Sequence, residues 1–122
     1  MNYKFEKFTA VGSKYVIGIT IAKPGGLSMS SGFYNKYAIE KYASADLYYD
    51  NDAKAVAIKF FEKVDEGIFK LKHREGGKGG YISSISFVKR NGLEKYFGKR
   101  KEPKVHMDEK IGKVFVIDLD QE

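Results

Sequence analysis

Gly25 to Tyr42 reads GGLSMSSGFYNKYAIEKY, and 54 residues further on Gly79 to Tyr96 reads GGYISSISFVKRNGLEKY. Laid over one another without a gap, the segments agree at seven of eighteen positions: both glycines, Ser30 and Ser84, Phe33 and Phe87, and the three residues Glu-Lys-Tyr. About one match would arise by chance, since an average residue type makes up roughly 5–7% of a chain. Lys36 against Arg90 and Ile39 against Leu93 match in charge and in apolar character. The expectation is one small unit present twice, with Phe33 and Phe87 buried at equivalent positions, each copy unable to bury its apolar face alone and using the other to complete a core.

Strand-like runs flank both copies. Tyr15 to Ala22 precedes the first, and Gly67 to His73 precedes the second, where Ile68 or Phe69 and Leu71 alternate with Lys70 and Lys72 in the period of a half-buried strand. After the first copy, Ala45–Tyr49 and Ala55–Phe60 flank the turn residues Asp50-Asn51-Asp52. After the second, Lys104–Met107 and Lys113–Ile117 flank Asp108 to Gly112, displaced by a four-residue insertion near Gly98 to Pro103. Each copy has room for one short helix. Ser30 or Ser31 opens the first and Ser86 the second, while Gly92, answered by Ala38, takes the left-handed conformation that ends it. Phe33 and Tyr37 share a helix face at i, i+4. Each unit therefore reads strand, strand, short helix, strand, strand.

A chain of 122 residues is long enough for one domain with a substantial core, and 43% hydrophobic residues with two prolines fit a globular chain. The expected division is repeat one at 15–61, repeat two at 67–119 and an N-terminal extension at 1–14, whose Tyr3, Phe5 and Phe8 would pack as an extra strand. No stretch approaches eighteen apolar residues and no apolar signal core opens the chain, which leads to the expectation of a soluble cytoplasmic protein. With no cysteine, disulfide and thiolate chemistry are excluded.

The block Gly79 to Leu93, and less fully Gly25 to Ile39, resembles the strand-then-helix signature of the swapped-hairpin AbrB family (SpoVT/AbrB), and Ala45–Asp50 with Val56–Lys59 stand where that family has its second hairpin. Ser30 and Ser84 occupy the place of the family's usual proline, and Tyr34-Asn35 and Val88-Lys89 that of its frequent arginine pair. The resemblance implies a mainly β fold with short helices, a swapped-hairpin barrel closed by the two internal repeats as a pseudo-dimer, as in MraZ-like tandem proteins. It also implies DNA binding and transcription regulation, although fold alone does not fix function.

Charge points the same way independently. Between Lys70 and Lys104 stand eleven Lys or Arg against three Glu, a balance of +8 where the whole chain carries +6. The positive charge thus belongs to one repeat, as a surface that displaces phosphate counterions requires. The candidate contacts are Lys70, Lys72 and Arg74 on a strand, Lys78 in a glycine-rich loop, Lys89 and Arg90 on the short helix, and Lys99, Arg100 and Lys101 in an inserted loop. The helix leads almost directly into that loop, so these last five are expected on one surface. The competing reading is a solvated lysine-rich exterior; the clustering favours nucleic acid, with duplex DNA preferred.

Other chemistry finds little to rest on. Glu75 to Gly80 (EGGKGG) invites a phosphate-loop reading, but the residues after it, Tyr81 and Ile82, read as strand where a P-loop enters a helix, so a hairpin connection with Lys78 at its tip is expected. His73 and His106 are far apart in sequence and lack a neighbouring cysteine or paired acid, and no G-x-S-x-G surrounds the serines. The expectation is a protein that is no enzyme and takes no cofactor and no metal.

Nine tyrosines and nine phenylalanines form a heavy aromatic load. Tyr34, Tyr37 and Tyr48 in the less basic first unit suit a protein partner, which keeps two alternatives open: an inhibitor or adaptor module, or a single-stranded nucleic-acid binder that stacks bases on aromatics. A monomer suffices for the pseudo-dimer, and a homodimer would enlarge a DNA footprint.

Overall fold

Ser30 caps the first helix through its hydroxyl, which accepts the Phe33 N–H at 3.2 Å, and Ala38 leaves that helix in the left-handed conformation at φ 51°. In the computed structural model, which describes residues 3–5 and 16–120, this helix is α1 (Ser31–Lys36), preceded by β1 (Ile19–Ala22) and β2 (Gly26–Met29). A 3-10 turn at Ile39–Lys41 leads into the hairpin of β3 (Ser44–Asp50) and β4 (Ala55–Phe61). The order then recurs. Strands β5 (Phe69–His73) and β6 (Gly80–Ser83) lead to helix α2 (Ile85–Arg90) and a 3-10 turn at Leu93–Tyr96. Beyond β7 (Arg100–Lys101), β8 (Lys104–Asp108) and β9 (Gly112–Asp118) form the second hairpin.

Neighbouring strands are all antiparallel, in the order β7-β1-β2-β6-β5-β3-β4-β9-β8, a curled half-barrel. Its two halves join where β5 meets β3 through Ser44 opposite Lys70 and Ala45 opposite Phe69. The central pair β2–β6 sets Gly26 against Ser83, Leu27 against Ile82, Ser28 against Tyr81 and Met29 against Gly80. Exchanging residues 54 apart leaves that register unchanged.

Side chains alternate across each strand, and one face is apolar. Ile19, Ile21, Leu27, Met29, Leu71 and Ile82 line it in one half, and Val56, Ile58, Phe115 and Ile117 in the other, all buried. Helix α1 plugs the curl. Phe33, fully buried, meets Phe115 edge to face at 5.2 Å and Tyr37 at 5.2 Å, a contact that the i, i+4 spacing predicts. Burying a Phe side chain contributes roughly 1.5–3 kcal/mol. Among the described residues no helix is long and apolar enough to cross a membrane.

Several local expectations are corrected. Helix α2 begins at Ile85 behind Ser84, so Ser86 does not cap it, and the buried Ser84 hydroxyl instead donates to the Gly25 carbonyl at 3.2 Å. Val88 is the fully buried residue of that helix, whereas Phe87 is half-buried against Phe69 at 6.5 Å. The first strand starts at Ile19, with Tyr15 outside the described residues, and β5 starts at Phe69, leaving Ile68 82% exposed. Lys99–Lys101 do not form a free loop: Arg100 and Lys101 pair with Thr20 and Ile19, because the open edge of β1 offers backbone groups that need partners. Of the N-terminal extension only 3–5 are described. There Tyr3 and Phe5 stack on each other at 5.4 Å and are exposed, not packed, while Phe8 lies outside the described residues.

Candidate nucleic-acid interface

Because Ile19, Ile21, Leu27, Ile82 and Leu71 point inward, their strand neighbours point out. The register lines these neighbours up across five strands: Arg100 on β7 opposite Thr20 on β1, Thr20 opposite Ser28 on β2, Ser28 opposite Tyr81 on β6, and Tyr81 opposite Lys72 on β5. Lys70 extends the same face by one pleat. None of these five strands contains an Asp or Glu. Two glycines let long side chains lie flat on this face. The Arg100 methylenes fill the space that a Cβ at Gly18 would need, and the Tyr81 hydroxyl fills that of a Cβ at Gly26.

Arg74 follows β5 and reaches back across the sheet. Its guanidinium donates to the Ser28 hydroxyl at 3.0 Å and to the Met29 carbonyl at 3.5 Å, which fixes a cation over the middle of the row. At the adjoining end of the sheet a cavity of about 610 Å³ is lined by Val16, Ser30, Ser31, Asn35, Gly76, Gly77, Lys78 and Arg100. Asn35 holds its glycine loop by donating from Nδ2 to the Gly77 carbonyl at 3.1 Å. Among the described residues the ion pair is Lys104 with Asp118, at 3.8 Å on the other half of the sheet, so no carboxylate there neutralises Lys70, Lys72, Lys78 or Arg100.

The other half-sheet carries charges of both signs. Strands β3, β4, β9 and β8 carry Asp46, Asp50, Asp108 and Asp118 beside Lys59, Lys104 and Lys113. The backbone N–H groups of Lys110 and Ile111 hold the Asp108 carboxyl below its ordinary range, and burial with nearby Asp46 and Asp108 pushes the Tyr48 phenol up. The acidic strand residues are thus confined to this half.

Of the expected contacts, Lys70, Lys72, Arg74, Lys78 and Arg100 come together on or beside one face. Lys99 is exposed with its ammonium 6.0 Å from the Tyr96 ring, and Lys101 is half-buried opposite Ile19. Lys89 and Arg90 lie elsewhere. Their helix begins beside the Gly25 carbonyl, which accepts the Ser84 N–H at 3.1 Å, at the end of β1 away from Arg100. The expected joining of these two with Lys99, Arg100 and Lys101 on one surface is therefore corrected: α2 follows β6 and α1 follows β2, and an antiparallel β2–β6 pair sends their helices to opposite ends. Sequence reasoning missed Thr20, Ser28 and Tyr81, although period-two alternation around Ile19, Leu27 and Ile82 marks them.

The three tyrosines do not form one surface. Tyr34 is 4% exposed, Tyr37 packs on Phe33 and on Phe115 at 4.8 Å, and only Tyr48 stands exposed, on the outer face of the half that carries the aspartates. His73 is also structural, since Nε2 meets the Tyr42 carbonyl at 2.8 Å and Nδ1 the Tyr34 hydroxyl at 2.7 Å.

No protein-family model matches the chain, and no curated protein or solved structure matches it.

Proposed function

We propose that the outer face of β7-β1-β2-β6-β5 binds the backbone of double-stranded DNA. On this reading the protein is a cytoplasmic, non-enzymatic transcription regulator of AbrB-like type, built from two copies of one unit (15–61 and 67–119). The single observation that carries it is the row Arg100, Thr20, Ser28, Tyr81 and Lys72, crossed by Arg74, on five strands with no acidic residue. Dimensions support a duplex. Four interstrand spacings separate Arg100 from Lys72, about 19 Å, enough to set cations over both strands bordering a major groove about 12 Å wide. The β2–β6 ribbon between them has the width that such a groove admits. Tyr81 is the one aromatic in this row, so backbone contacts outweigh base stacking and the single-stranded alternative is less well supported.

Anisotropy titrations of labelled duplex and single-stranded DNA over a salt series test the reading. Affinity for duplex should fall steeply with salt, with the log–log slope shrinking by about 0.9 for each phosphate that a variant no longer neutralises. Arg74→Glu with Arg100→Glu should abolish retention in a protein that still folds, with a moderate fall in melting temperature because Arg74 also bonds Ser28 and Met29, whereas Lys89→Glu with Arg90→Glu should leave most of it. A folded Arg74→Glu, Arg100→Glu variant that binds as tightly as the parent would overturn the proposal.

A further inference from the structure

Strand β8 ends the sheet. It pairs with β9 on one side, and among the described residues no strand pairs with the other. Val105 is 47% and Met107 68% exposed although Val105 stands opposite Phe115, on the face that forms the core. The hairpin of the first half shows what such positions do when covered. Asp50 closes its turn by accepting the N–H groups of Asp52 and Ala53, and Asp108 does so with those of Lys110 and Ile111. Counting back from these aspartates, Leu47 and Tyr49 correspond to Val105 and Met107, and both pack against the core. At the opposite end of the sheet β7 covers β1. The core face thus runs out at β8 with two apolar side chains uncovered.

The sequence of that edge is complementary to itself. Lys104-Val105-His106-Met107-Asp108, laid antiparallel on a second copy about His106, sets Lys104 opposite Asp108 and Val105 opposite Met107, each twice. Opposed residues in such a pair stand about 4.5–5.5 Å apart at Cβ. Charged and apolar partners then fall on their own faces, because Lys104, His106 and Asp108 point to one side of β8 and Val105 and Met107 to the other. A parallel copy would set Lys104 beside Lys104, so the charges that normally protect an edge select the antiparallel pairing. We propose that two copies of this chain associate through β8 in this register, continuing the sheet across a two-fold axis and covering Val105 and Met107. A five-residue edge is smaller than a standard interface, so the dimer is a weak one, with a dissociation constant in the micromolar range or above.

The absence of cysteine permits a direct test. His106→Cys places two thiols opposite each other in the dimer and should give a covalent dimer under mild oxidation. Lys104→Cys should not, because its two copies lie four residues apart along the strands, about 13 Å, beyond the ~7 Å Cα limit of a disulfide. Sedimentation velocity from about 10 to several hundred micromolar, scaled to such weak affinity, should show the parent dimerising. Lys104→Glu and Met107→Lys, both at exposed positions, should each weaken association at least tenfold, with at most a small shift in the melting curve of the dilute monomer, since the Lys104–Asp118 pair that the first variant removes is exposed. A parent that stays monomeric, equal cross-linking at positions 104 and 106, or a dimer indifferent to both charge variants would overturn the proposal.

Discussion

The Tyr34 hydroxyl donates to Nδ1 of His73 across 2.7 Å, joining α1 to β5 from the other half of the chain. The direction follows from the second nitrogen. Nε2 faces the Tyr42 carbonyl at 2.8 Å, a carbonyl can only accept, and so in the neutral ring Nε2 carries the proton and Nδ1 is the acceptor. Burial first and Glu40 second push the Tyr34 phenol up, which keeps it a donor.

Removing this link should cost stability without touching the basic face. Tyr34→Phe is expected to lower the unfolding free energy by about 1 kcal/mol, the usual net worth of a hydrogen bond. In a double-mutant cycle with His73→Ala the effects should be less than additive, because both substitutions remove the same bond. Urea unfolding measures the cycle, and additive losses would show that the two residues act independently.

Phe33 and Phe87 occupy matching places in the repeated segment but differ in burial, and their truncations should differ accordingly. Phe33→Ala opens a cavity beneath Phe115 and should cost about 3–5 kcal/mol, a large share of a total near 5–15 kcal/mol. Phe87→Ala, at a half-buried site, should cost clearly less. Equal destabilisation in thermal melts would contradict the packing described.

The turn aspartate Asp108 predicts a pH dependence. Two backbone N–H groups favour its ionised form, so its folded-state pKa lies below the unfolded value. Its contribution is therefore present above that unfolded value and lost as pH falls through the folded one. Asp108→Asn keeps an oxygen acceptor but cannot titrate. The stability advantage of the parent over this variant should be constant above about pH 5 and shrink below about pH 4, around the ordinary aspartate range. Chemical denaturation at a series of pH values reads this directly, and a gap independent of pH would refute it.

The sequence by itself determined the hairpins, the short helices and where these end, but not the start of α2, which lies behind Ser84 and not at Ser86. These depend on local chemistry: Ser30 accepts a helix N–H, Ala38 and Gly92 adopt left-handed conformations, and Asp50 and Asp108 fold their turns. The basic character of the second half was legible as well, since charge counts need no coordinates. Which cations share a surface was decided by tertiary structure alone. The antiparallel β2–β6 register sends α1 and α2 to opposite ends, which separates Lys89 and Arg90 from Arg100, and pairing with β1 turns the inserted loop into an edge strand. The row through Thr20, Ser28 and Tyr81 exists only once strands distant in sequence are in register. Burial of Tyr34 likewise depends on His73 arriving from the other half. Local propensity fixes an element, but a surface is a product of pairing between elements, and that information is non-local.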